Sequence, residues 1–184
     1  MNNIFDQFPK YQKESIDTIQ DADLFLCIFS LVLKRQAEEY KNDLPLRIQR
    51  RLGREMNRID QTRTVYEVAV LYELANWLRE NHYRWVCGKE MERSMVMYFL
   101  GITETKPKWR KTRLWDEEQP KFEITIQAEA FGKLEKLFED HWFTRVCNQH
   151  YEIDRKRGNT AKYGCIIITK EGDGTDVRRS NKKF

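Results

Sequence analysis

A chain of 184 residues, 40% of them hydrophobic, is long enough for one domain with a sizeable core, or one domain with a small appended subdomain. Its 10 Phe, 8 Tyr and 5 Trp exclude a disordered composition, because there is ample apolar surface to offset chain entropy. The 33 basic and 29 acidic residues nearly cancel to +4, so bulk charge alone does not indicate a polyanionic partner and the clustering of charge has to be examined.

In chain order, residues 1–13 lack the basic-then-apolar layout of a signal peptide. A first helix is expected from a cap at Asp21 or Asp23, through Leu24, Phe25, Ile28, Phe29, Leu31 and Val32, to about Tyr40. Its apolar surface is broad enough to require neighbours around most of its circumference. The run Leu24–Leu33 is about half of the roughly 20 residues that a bilayer span needs, so it reads as a core helix and no membrane partner is expected. Asn42-Asp43 breaks the pattern, and Pro45 suits the first turn of a second helix carrying Ile48, Leu52, Met56 and Ile59 on one face. A third helix begins near Thr62 or Thr64 and buries Val65, Val68, Leu71, Ala75 and Leu78 before ending around Asn81. Tyr83–Cys87 reads as a short strand, and Met91, Met95, Tyr98 and Phe99 keep helical spacing up to Gly101.

The character then changes. A polar connector at 102–120 precedes Phe122, Ile124 and Ile126, which alternate as in a half-buried strand. Phe131, Leu134, Leu137, Phe138 and Trp142 mark an amphipathic helix. Two further strands are expected at about Phe143–Ile153 and Lys162–Lys170, joined by a turn at Arg155–Asn159. The organisation is α+β: a helical region at 1–101, the connector at 102–120, a β-α-β-β subdomain at 121–170 with a small antiparallel sheet, and a basic tail at 171–184.

The clearest functional feature lies on the second helix. At about 100° per residue, Arg47, Arg50, Arg51, Arg54 and Arg58 fall within one arc of roughly 100°, apart from the apolar face. Like charges at i,i+4 repel, and Glu55 and Asp60 offer the only local relief. Guanidinium forks match phosphate and carboxylate geometry and dock with less desolvation than lysine. The stripe therefore reads as a contact surface for nucleic acid or for an acidic protein surface. The structural alternative is a solvated face, or one paired with Asp17, Asp21, Asp23, Glu38 or Glu39.

The connector is a second basic element. Lys106, Lys108, Arg110, Lys111 and Arg113 surround Trp109, with Trp115 just after, a pattern in which charge follows phosphates and indole faces accept bases. The alternative is a loop whose tryptophans plug the core, partly neutralised by Asp116-Glu117-Glu118. Arg178, Arg179, Lys182 and Lys183 in the tail read as an electrostatic accessory. Tyr72–Trp85 followed by Gly88–Gly101 and the connector resembles the rhythm of a winged helix. The helix that would enter the groove carries Lys89, Glu90, Glu92 and Arg93 and is neutral, which leaves the arginine stripe as the anchor.

Catalytic and metal patterns are sparse. Arg145 and His150 form an R-x4-H pattern that resembles the motif of the helical ribonuclease domains called HEPN, implying His150 as general acid or base and Arg145 as phosphate holder. Cys147 and His150, joined by His82 and Cys87, have the ligand types of a Cys2His2 zinc site, although residues three apart on one strand point to opposite faces. There is no Gly-rich phosphate loop, G-x-S-x-G or H-E-x-x-H, and Thr125 stands where a D…E-x-K nuclease pattern after Glu123 needs lysine. Without CxxC spacing, Cys27 and Cys165 read as small buried hydrophobes in a reducing, cytoplasmic setting. The expectation is a non-enzymatic nucleic-acid-binding or regulatory protein without a cofactor. The alternatives are a protein-interaction module docking its basic helix on an acidic surface, and a small ribonuclease at Arg145 and His150.

Overall fold

The computed structural model describes residues 20–41, 43–108, 114–116, 120–138, 143–147, 150–154 and 165–172. Within them the fold is α+β, with helices mainly in the first half and strands later. Helix α1 (Asp21–Tyr40) carries Asp21 and Asp23 in its first turn, where carboxylates favour the positive end of the helix dipole, and it stops at Lys41 in the left-handed region (φ 47°). Helix α2 (Leu46–Gln61) follows Pro45 and buries Ile48, Leu52, Met56 and Ile59. Helix α3 (Val65–Glu80) is the central element: every residue from Val65 to Leu71 is buried, and Leu74, Ala75 and Leu78 continue the contact. Helix α1 packs on α3 and on the short helix α4 (Met95–Phe99), which also receives α2.

Two helical expectations change. The side of α1 facing away from α3 is exposed at Leu26 (60%), Phe29 (39%) and Leu33 (43%), because among the described residues α1 packs mainly through the face of Leu24, Cys27, Ile28, Leu31 and Val32. The helix expected over Met91–Gly101 is two pieces. A 3-10 turn at Met91–Arg93 ends at Ser94, whose extended backbone (ψ 129°) restarts the chain as α4. The Ser94 hydroxyl caps α4 by accepting from the Met97 amide at 3.2 Å.

The strands form one sheet in the order β1 (Trp85–Cys87), β2 (Lys121–Ile126), β5 (Cys165–Lys170), β4 (His150–Asp154), β3 (Phe143–Cys147). It is mixed rather than antiparallel, since β2 and β5 run parallel while the other neighbours are antiparallel. The single strand expected over Phe143–Ile153 is a hairpin, β3 and β4, pairing Cys147 with His150. Parallel β2 and β5 need a crossover, which α5 (Ala128–Phe138) and that hairpin supply. The sheet also takes its edge strand from the helical half, through Trp85–Ile126, Val86–Thr125 and Cys87–Ile124 pairs.

Alternation divides the sheet into two faces. Phe122, Ile124, Ile126, Ile166 and Ile168 are buried on one, where α3 and α5 pack against β5; Lys121 and Glu123 are exposed on the other. No helix of the described residues is long and apolar enough to cross a membrane. The expected turn at Arg155–Asn159 and the basic residues of the tail lie outside the described residues.

Candidate nucleic-acid interface

The angular order of side chains on α2 explains how its arginines divide. Between the apolar face and the stripe sits Glu55, 5% exposed, next to the positions of Arg51 and Arg58 at the stripe's inner edge. Arg47, Arg54 and Arg50 lie progressively further round and are exposed. Glu55 accepts from Arg51 Nε (2.9 Å), from the Ser94 hydroxyl (2.7 Å) and from the Val96 amide (3.2 Å). A buried carboxylate is stable only when paired and hydrogen-bonded, and this one meets both conditions while clamping α2 to the start of α4.

Arg51 and Arg58 hold the connector. Arg51 Nη1 donates to the Lys108 carbonyl (3.2 Å), and its Nη2 donates to the Arg93 carbonyl. Arg58 Nε donates to the Trp115 carbonyl (2.7 Å), and its Nη1 reaches Gln61 (3.2 Å). Trp115 is buried and its ring lies 5.8 Å from that of Phe122, so this indole is a core group rather than a base-stacking one. The connector is thus fastened to α2 at both Lys108 and Trp115. Its intervening residues, including Trp109, Arg110, Lys111 and Arg113, lie outside the described residues.

Upstream, Lys106 bridges the connector to the end of α1. Its ammonium is 2.6 Å from Glu39 and 4.4 Å from the centre of the Tyr40 ring. Burial alone would lower the Lys106 pKa, but hydrogen bonds to Glu39 and Tyr40 outweigh it and hold the ammonium above its usual value. Burial would likewise raise Glu39, yet hydrogen bonds from Lys106, Tyr98 and Tyr40 leave its carboxyl below the ordinary range. Lys106 is therefore largely committed within the fold, whereas the Lys108 side chain is exposed. Arg50 and Arg54 are exposed and have no hydrogen-bond or ion-pair partner among the described residues.

The remaining candidates are placed differently from the sequence expectations. The neutral segment after Lys89 contributes α4, whose Met95, Val96, Met97 and Phe99 are buried, so it has no free face with which to enter a groove as a winged helix would. Arg145 lies on β3 and His150 on β4, not on the helix that the HEPN resemblance implies. The register sets Arg145 directly opposite Glu152.

For zinc, the hairpin does what a single strand would not and brings Cys147 opposite His150. Cys87, however, is on β1, three strands from β4 and so roughly 14 Å away at about 4.8 Å per strand. Its thiol is buried against the Ile102 carbonyl (3.4 Å), and burial, with help from Glu92, pushes it up to about 12, far from a thiolate ligand. His82 is exposed on the turn before β1, in the left-handed region (φ 59°). The four residues do not form one ligand set, and no group of three metal-ligating side chains occurs among the described residues.

Sequence reasoning missed Glu55 as the organising group, although its i,i+4 spacing from Arg51 was a usable signal. It also missed Ser94 and the pairing of Lys106 with Glu39; the latter joins residues far apart in the chain and leaves no local trace. In comparisons with known proteins, the chain matches no protein-family model and no curated protein.

Proposed function

We propose that this chain is a non-enzymatic nucleic-acid-binding protein whose phosphate contacts are made by Arg47, Arg50 and Arg54 of α2 together with Lys108 and the basic residues that follow it. One observation carries the reading: Arg50 and Arg54 lie exposed, without a partner among the described residues, on the same helix whose inner arginines fasten the connector at Lys108 and Trp115. The exposed Lys108 is thereby held beside the arginine stripe, and like charges placed so close favour an anion between them. Arg51 and Arg58 support this surface by holding the connector rather than by meeting the ligand.

The test is the salt dependence of affinity for short duplex DNA and for RNA. Phosphate contacts release counterions, so log K falls linearly with log salt by about 0.7–0.9 for each contact. Arg50→Glu with Arg54→Glu should flatten that slope by about two contacts and weaken binding, with the far-UV spectrum and melting temperature unchanged. Affinity indifferent to salt, or a double variant that binds as well as the parent, overturns the proposal. If the double variant instead loses an acidic protein partner while the parent binds no nucleic acid, the surface serves protein docking.

A further inference from the structure

Gly53 lies in the middle of α2, where glycine weakens a helix relative to every residue but proline. Nothing among the described residues accounts for it. A Cβ built at Gly53 meets nothing within 4 Å, so no close packing excludes a side chain. Its backbone is ordinary right-handed helix, unlike the positive-φ conformation of Gly101 (69°) and Gly172 (101°), so no turn requires glycine either. The remaining physical use of a missing Cβ is the close approach of a ligand to the backbone.

The neighbours of this glycine indicate what approaches. Arg50, Gly53, Arg54 and Asn57 stand at i, i+3, i+4 and i+7, the four corners of one hole on a helix surface, with adjacent corners about 5–6 Å apart. All four are exposed, and Arg50, Arg54 and Asn57 have no hydrogen-bond or ion-pair partner among the described residues. Two guanidinium forks and a carboxamide thus surround a hole whose fourth corner is open down to the helix backbone. The exposed carboxylate on this flank of α2, Asp60, is seven residues beyond Gly53, roughly 10 Å along the axis. Such a set of donors meets the oxygens of a tetrahedral anion.

The open corner favours a phosphodiester over a carboxylate. An Asp or Glu side chain carries its charge on a flexible stem and reaches two arginines without bringing its own backbone near the helix. A phosphate in a nucleic-acid strand is flanked by a sugar on each side, so it settles between Arg50 and Arg54 only where the helix surface beside them is clear. Building on the nucleic-acid reading above, we infer that Gly53 is the clearance for one phosphate of the bound strand, and that Asn57 is a neutral donor to the same phosphate. Gly132 of α5 offers a comparison within the chain. It too is exposed and has nothing within 4 Å of a built Cβ, but the residue three before it is Glu129, which pairs with Lys133.

Affinity for a short RNA and a short duplex DNA at fixed salt, with urea unfolding of the same proteins, tests this. Gly53→Gln introduces a bulkier residue that forms helix well, so it should unfold at a higher urea concentration than the parent and yet bind about tenfold more weakly. General destabilisation cannot move the two quantities in opposite directions. Asn57→Ala should also weaken binding while leaving the salt slope unchanged, since no charge is lost. Gly132→Gln should bind as the parent does. Salt-dependent binding that Arg50→Glu with Arg54→Glu abolishes but Gly53→Gln leaves intact would remove the role of Gly53 and keep the arginine surface. Equal weakening by Gly53→Gln and Gly132→Gln would likewise refute the seat. A parent that binds neither RNA nor DNA overturns both readings.

Discussion

At the scale of single residues, Glu55 and Gly53 show how little the chemical type of a side chain says about its role on α2. By its place in the sequence Glu55 offers local relief to a row of arginines, yet it is the group on which three separate donors converge. Glu55→Ala would leave Arg51 nearly buried without its counter-charge and strip α4 of two contacts. A loss of about 3–5 kcal/mol is expected, measured by urea unfolding, against within about 0.5 kcal/mol for Arg54→Ala on the open side. Gly53 is the reverse case. It lies inside the helix, and a Cβ there meets nothing within 4 Å. Gly53→Ala should therefore raise stability by roughly 0.5–1 kcal/mol, seen as a higher denaturation midpoint. Among the described residues there is no packing reason for glycine at that position.

At the scale of elements, the connector is the informative one, because two helices hold it at three points. Glu39 of α1 holds Lys106, Arg51 of α2 holds Lys108, and Arg58 of α2 holds Trp115. The first tie depends on pH. Because folding lowers the Glu39 pKa from 4.5, its contribution is complete above that value and is lost as pH falls through the lower folded value. Glu39→Gln should thus narrow the difference in melting temperature between neutral and strongly acidic buffer, while shifting it little among buffers well above pH 4.5. An unchanged acid sensitivity would show that other carboxylates govern it. None of these ties was legible beforehand: a helical projection shows which charges share a side, not what packs over them. Trp115 shows the same limit, since an indole beside basic residues fits stacking on a base as well as packing on Phe122.

At the scale of the whole molecule, the sequence was most legible where burial repeats at one period over several turns. The apolar residues expected to face inward on α2 and α3 are all buried there. Helix α1 is located by its sequence within a residue or two, but its apolar breadth implies cover around most of its circumference, because periodicity cannot distinguish a covered face from an open one. The break between β3 and β4 was missed because the chain passes through Asn148-Gln149, which lacks the Gly or Pro that punctuates turns. The parallel pairing of β2 with β5 escaped for another reason: it joins segments about forty residues apart, and register across such a distance is set by the assembled core. Alternation along β2 nonetheless assigned Phe122, Ile124 and Ile126 correctly to the inner face.

The unbroken burial of α3 from Val65 to Leu71 has a consequence for how this chain can diverge. Seven successive positions without a solvent side leave almost no neutral substitutions, so that helix should be the slowest-changing part of the sequence. The outer sides of α1 and α2 carry no such constraint from folding. Leu26, Leu33, Arg50 and Arg54 are free to drift as far as stability is concerned. Their retention among diverged relatives, beside a nearly frozen α3, would therefore register selection for binding rather than for structure.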